Sequence, residues 1–439
     1  MAIYVKYKNL IPKNSKATDN TASIVDIKTQ LVNDVCWGSG VSDFLAVKKL
    51  LQEDSWEEYR PKIKPITEDD PGSFELKFCD DFFNFETEGI NHFIGTIAGD
   101  ILLNSKIERI DVDDFHIDHE KLKYFPGPNY GIDGVYKLFN INNQELNRPL
   151  LAYSIKPRMG YTIDQFKAIF SEAAKGGVDI IEDDERLIDP IYCPFCERVI
   201  EAEKLKKKYP KTYYSVNITG PLDKMRERVK FAYDHNIKFV KIDVLVTGFD
   251  ALLEITKLIR NEKYDIRITV YPDAIGKYRN LSRHFVCKMA RLCGADIIYA
   301  GSPSWSRDII YSNSLIYECE KVHLRHEKLK CSIDDMVGIK PTLATMTNDI
   351  SAQSAELITL IFNRCFSDTQ FAFFIGHGIS ASRESIKDTV QDIIKRISAA
   401  AKAPNDDYNI EAVKQDFRDS EDLSQYDIPK YIGKFRKGY

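Results

Sequence analysis

Long apolar runs are missing from this 439-residue chain. The stretch Phe371-Ala-Phe-Phe-Ile375 is far short of the ~20 residues that a bilayer-spanning helix needs. The segment Met1-Ala-Ile-Tyr-Val-Lys-Tyr-Lys-Asn9 shows no apolar core before a small-residue cleavage site, so no secretion signal is read there. These two absences lead us to expect a soluble, cytoplasmic protein. A basic excess is also lacking: 61 Lys+Arg stand against 66 Asp+Glu, a net charge of −5, which argues against a nucleic-acid partner. An even cysteine set is lacking too. Nine cysteines in a large chain without a secretion signal read as reduced thiols, not a disulfide framework. Cys193-Pro-Phe-Cys196 has no second pair or nearby histidine, so it reads as the start of a helix and not as a zinc or redox site. There is no internal repeat or low-complexity tract.

Ordinary hydrophobic content (44%) and plentiful aromatics exclude disorder. The length allows roughly two to four domains. Residues 1–145 mix strands such as Phe74–Phe78 and Ile107–Phe115 with helical stretches, as a compact α+β domain would. From Pro149 the pattern becomes regular. Apolar strand-like runs at Leu150–Ile155, Val178–Ile181, Thr212–Ile218, Phe239–Leu245, Ile266–Tyr271, Ala295–Tyr299, Met336–Ile339 and Phe371–Ile375 alternate with helical stretches such as Asp164–Lys175 and Asp223–His235. Eight β-then-α units over residues 146–403 predict a (β/α)8 TIM barrel carrying the active site. Residues 404–439 read as a polar C-terminal appendage.

Barrel chemistry sits just beyond the C-terminal strand ends. The first strand is followed by Lys156 and Arg158, cations suited to an anionic or enolate substrate. The second runs into Glu182-Asp183-Asp184-Glu185. Alternation sends Glu182 and Asp184 to one side, with Glu185 following at the turn, a hard-oxygen set suited to Mg2+. Asn217, Tyr271, Tyr299 and Ser302 stand at later strand ends. Lys241 and Asp243 inside an apolar strand must face the barrel mouth or be paired, and a structural ion pair explains them equally well. Lys340, the turn Gly376-His377-Gly378 and Arg383 form the expected anion cradle after the last two strands.

Read in order, Arg148-Pro-Leu-Leu-Ala-Tyr-Ser-Ile-Lys-Pro-Arg-Met-Gly160, Gly176-Gly-Val-Asp-Ile-Ile-Glu-Asp-Asp-Glu185, Tyr214-Ser-Val-Asn-Ile-Thr-Gly220, Tyr271-Pro272, Ser302-Pro-Ser304, Gly338-Ile-Lys-Pro341 and Gly376-His-Gly-Ile379 resemble the ribulose-bisphosphate carboxylase superfamily. The closer resemblance is to its RuBisCO-like branch, form IV, over roughly residues 90–400. The resemblance implies Mg2+, and a small-molecule substrate, often a sugar phosphate, that is enolised next to a carbonyl. It also implies a homodimer in which the partner's N-terminal domain, through Asp100, completes the active site.

The departures from the family pattern are specific. The metal-binding lysine that carries a carbamate is Glu182 here, so a carbamylated lysine is impossible at that position. The other ligands match Asp184 and Glu185, and the lysine after the first strand matches Lys156. The strand-5 histidine is Tyr271, the second-phosphate arginine is Pro272, and the strand-6 Gly-Lys pair is replaced by Ser304-Trp305-Ser306-Arg307. Each lost charge of this kind costs on the order of 3 kcal/mol of transition-state binding, which argues against CO2 fixation. Two readings follow. One is a lyase or isomerase in which a metal at Glu182, Asp184 and Glu185 works with Lys156, Arg158, Asp100 and Tyr271 through an enolate. The other is a metal-free member that binds a ligand or regulates without turnover.

Overall fold

The computed structural model describes residues 2–13, 20–37, 57–65, 72–139, 146–272, 278, 280–301, 336, 338–347, 350–366 and 370–403. The expected appendage 404–439 and the strand-6 loop with Ser302 lie outside these residues. Among the described residues no helix is long and apolar enough to cross a membrane.

The N-terminal sheet contains β1 (Ala2–Pro12), β2 (Lys62–Pro65), β3 (Phe74–Cys79) and β4 (Ile107–His116), in the antiparallel order β2-β3-β1-β4. Its period-2 pattern buries Ile3, Val5 and Tyr7 on β1 opposite Phe74, Leu76 and Phe78 on β3. Helix Asn91–Ala98 lies over this face, where Tyr7 donates to the Ile97 carbonyl at 2.9 Å.

The β4 edge docks this sheet onto the larger domain. Val112 N–H donates to Asn280 O at 2.7 Å, Ser282 N–H donates to Val112 O at 2.9 Å, and the Ser282 hydroxyl donates to Asp113 O at 2.6 Å. Beside this seam Asp114 meets Lys288 at 2.9 Å and His284 at 3.3 Å. Burial pushes the Asp114 carboxyl up, but the His284 hydrogen bond and the Lys288 charge outweigh it and hold the group well below the usual carboxylate range. A depressed folded pKa stabilises the fold above the unfolded value of ~3.9 and loses that contribution as the pH falls further. Asp114→Asn is therefore expected to lower the urea midpoint at neutral pH, with the gap to wild type closing below about pH 3. A gap that does not change with pH would show that the carboxylate charge is not what matters.

The second domain is a closed parallel barrel of β5 (Leu150–Ser154), β6 (Ile180–Glu182), β7 (Tyr213–Asn217), β8 (Phe239–Asp243), β9 (Arg267–Tyr271), β10 (Ile297–Gly301), β11 (Leu343–Thr347) and β12 (Ala372–Ile375). Among the described residues helices follow seven of the eight strands, as expected. Ile163–Gly176, for example, starts with a reciprocal Thr162–Gln165 cap. Helix Gly131–Tyr136 closes the foot of the barrel: Tyr130 and Gly131 N–H donate to Asp296 at 2.7 and 2.8 Å, and Tyr136 donates to Phe371 O at 3.0 Å.

The strand register arranges the interior in tiers of four from alternate strands. Ile180, Phe239, Ile297 and Ala372 form an apolar tier. Ala152, Ser215, Thr269 and Thr345 lie above it. Glu182, Lys241, Tyr299 and Phe374 come next, and Ser154, Asn217, Tyr271 and Thr347 form the top.

One strand departs from expectation. Met336–Ile339 is not the seventh strand, because Gly338 adopts φ +86 and Pro341 follows; the strand is Leu343–Thr347. Lys340 therefore lies before its strand, at the foot of the barrel. Its ammonium donates to Asn129 O at 2.6 Å, so its expected place in the anion cradle at the mouth is corrected. The fourth strand also stops sooner than expected, and Val244–Thr247 is a helical turn.

Candidate active site

The acidic run after β6 divides by direction. Asp183 turns outward, between barrel and helix Phe195–Lys208, where Arg198 Nη2 reaches it at 3.1 Å and Tyr214 and Asn217 N–H also donate to it. Arg198 additionally donates to the carbonyls of Ile188 (2.7 Å) and Cys193, so a fully buried guanidinium organises the loop that follows the acids. Cys193 and Cys196 flank the start of this helix, as expected, and burial pushes the Cys193 thiol up.

Glu182 turns inward and is fully buried. Its Oε1 accepts from Lys241 at 2.8 Å, Ser154 at 3.2 Å and Tyr299. Lys241 is buried beside it, also donates to Asp183 O at 3.2 Å, and lies 3.9 Å from Glu185 Oε2. The rings of Tyr271 and Tyr299 flank the ammonium at 4.8 and 5.1 Å. Burial pushes the Lys241 ammonium pKa down, but Glu182 and Glu185 outweigh it and hold the pKa above the ordinary lysine value. Burial pushes the Glu182 carboxyl up against the pull of the same donors.

Nearer the mouth, Lys156 donates to Asp184, Arg158 Nε lies 3.6 Å from Asp184, and Arg158 Nη2 lies 3.2 Å from Glu185. The Asp184 carboxyl is pushed up by burial but held below its ordinary value by the Lys156 hydrogen bond and charge. Arg158 remains half-exposed.

Gly376, after β12, leaves room for this lysine: a Cβ there would stand 2.8 Å from Lys156 Cε. Gly378 passes so close to Ile350 that a Cβ would meet its carbonyl oxygen at 1.9 Å. The glycine turn thus serves close packing around Lys156 and Ile350. His377 and Arg383 are exposed beside it.

Asn217 is spent on the acidic turn, donating to the carbonyls of Glu185 (2.9 Å) and Asp184 (3.3 Å). Tyr271 packs edge-on against Tyr299 at 4.6 Å. Asp100 is exposed at the start of a short helix in the N-terminal domain. Glu182 Oε2 and the hydroxyls of Ser215, Thr269 and Thr345, all in two adjacent tiers, have no hydrogen-bond partner within the protein. Buried polar groups are seldom left so, and water or a bound molecule has to serve them.

Residues 134–355 match the family model for the ribulose bisphosphate carboxylase large chain, catalytic domain. That match spans half the chain. The chain belongs to the RuBisCO large-chain family. It is a divergent member, 29% identical over 234 residues to the ribulose bisphosphate carboxylase of Pyrococcus furiosus, spanning 50% of this chain and 53% of that protein. It is also 29% identical over 212 residues to the 2,3-diketo-5-methylthiopentyl-1-phosphate enolase of Bacillus thuringiensis, spanning 47% and 49% of the two. Both alignments thus cover about half the relative's length. The dimeric archaeal RuBisCO of Hyperthermus butylicus shares the fold, with a TM-score of 0.71 over 91% of each chain at 21% identity.

The RuBisCO resemblance implies Mg2+ at Glu182, Asp184 and Glu185, and these residues do not fit it as arranged. Lys241 occupies Glu182, Lys156 occupies Asp184, and Arg158 and Lys241 flank Glu185. Among the described residues no three His, Cys, Asp or Glu side chains converge on a metal position. Glu182 Oε2 is unengaged, and one carboxylate oxygen is not a hard-cation site.

Sequence reasoning left Lys241 and Ser154 outside the site. The signal for Lys241 was its charge at an inward position of an apolar strand, but its partner lies 59 residues earlier.

Proposed function

We propose that this chain is a RuBisCO-like enzyme, not a CO2-fixing carboxylase, acting as an isomerase or lyase on a small phosphorylated or carboxylated keto substrate through an enolate. The arrangement of Lys156 supports this most directly. It is a partly buried amine at the mouth, oriented by Asp184 and given space by Gly376, with the half-exposed Arg158 two residues on. In the proposed step Lys156 first passes a proton to Asp184 along their hydrogen bond; the C–H bond next to the substrate carbonyl then breaks and its proton moves to the freed Lys156 amine. The electron pair becomes an enolate facing the Arg158 guanidinium. His377 and Arg383 are the groups proposed to receive the substrate's anionic end. Mg2+ has no part in these steps, because the acids that would hold it are already paired. The enolase relative supports the reaction class; the substrate class is our extension.

The proposed enzyme is a homodimer whose active site lies at the subunit interface. In support, the mouth loops expose Met159, Ile191, Tyr192 and Val246, and Leu103 is 80% exposed three residues beyond Asp100. Such an apolar rim suits a covering partner.

Incubation in D2O with a panel of keto-sugar phosphates and keto acids should give deuterium next to the carbonyl of at least one member, read by NMR. Asp100→Asn and Lys156→Met subunits, each inactive alone, should regain part of the exchange when mixed. Exchange with no member would favour a ligand-binding role without turnover. Exchange without complementation would remove Asp100 from the shared site.

A further inference from the structure

We propose that Lys241 is a built-in counter-ion that takes over the charge-balancing role of a divalent metal, leaving the acidic site electrically complete without one. The location of this lysine carries the argument. It stands in the same interior tier as Glu182, and all three of its polar neighbours (Glu182 Oε1, Asp183 O and Glu185 Oε2) belong to the acidic run. It is 1% exposed and boxed by two tyrosine rings, so it cannot swing into solvent to make way.

The charge count closes as well. Glu182, Asp184 and Glu185 face Lys241, Lys156 and Arg158, three acids against three cations. A divalent ion entering this set would meet a buried ammonium at short range in a low-dielectric interior, where like charges repel strongly. It would also have to draw Glu182 Oε1 away from Lys241 and Asp184 away from Lys156. Within the barrel Glu182 supplies the acid and Lys241, from the strand after next, supplies the cation.

This inference rests on the reading of the mouth as an active site, but its test reads metal affinity and not turnover, so the two fail separately. Chelator-stripped full-length protein is titrated with Mn2+ by calorimetry and by electron paramagnetic resonance, and its melting temperature is recorded with Mg2+ and with EDTA. Wild type should show no saturable binding below millimolar Mn2+ and the same melting temperature in both buffers. Lys241→Met, which removes the competing charge but keeps the acids, should bind Mn2+ roughly tenfold tighter or more and melt higher with Mg2+. Because Lys241→Met leaves a buried acid unpaired and risks misfolding, Lys241→Gln is carried alongside to donate a hydrogen bond to Glu182, and should show the same gain. The double variant Glu182→Gln/Lys241→Met removes the pair together and should fold without gaining the Mg2+ response. Stoichiometric micromolar Mn2+ binding by wild type, or lysine variants that bind no better than wild type, would overturn the proposal.

Discussion

Arg198→Ala is expected to cost about 3–5 kcal/mol of stability. Asp183 and Arg198 are both fully buried, and removing the guanidinium strands a carboxylate in the wall of the barrel. It also frees the carbonyls of Ile188 and Cys193 that shape the loop after the acidic run. Replacing both partners together, as Asp183→Asn/Arg198→Met, should recover much of the loss, because no unpaired charge remains. Urea denaturation of the two variants decides the matter. If the double variant is no more stable than Arg198→Ala, the damage comes from the loop carbonyls and not from the stranded acid. Arg198→Lys should be intermediate, since a lysine cannot reproduce the fork that serves Asp183 and two carbonyls at once.

The barrel was legible because seven of its strands are short apolar runs bounded by turn signals. The seventh in order was not. Leu343-Ala-Thr-Met-Thr347 is half polar, since its threonines face the barrel interior, whereas Met336-Val-Gly-Ile339 looks apolar yet forms a turn. That exchange moved Lys340 from the expected mouth to the foot. Period-2 alternation correctly separated Glu182 from Asp183, because a strand sends neighbours to opposite faces. It could not show what each would meet. Arg198 lies 15 residues beyond Asp183, and Lys241 lies on a different strand from Glu182. Such pairings depend on barrel register, and one sequence does not print register.

Lys156→Met is expected to reduce deuterium exchange into the active keto substrate by about 10²–10⁴-fold, the range that a positioned acid–base group supplies. The methionine keeps the length of the stem and removes only the amine. Asp184 then loses its closest cation but keeps Arg158 and the Arg186 N–H, the latter at 3.0 Å, so folding should survive. Arg158→Met should act differently. A group that holds the substrate's anion equally in ground and transition states raises KM with little change in kcat, whereas one that meets the enolate lowers kcat. The kcat–KM split of Arg158→Met therefore says which end of the substrate the guanidinium faces. Gly376→Ala provides an independent check on Lys156, because its methyl would stand 2.8 Å from Cε while the amine itself is kept. It should lower kcat by displacing Nζ while leaving a lysine in place. If Gly376→Ala exchanges deuterium at the wild-type rate and Lys156→Met loses less than about tenfold, proton transfer belongs to another group and the enolate mechanism centred on Lys156 fails.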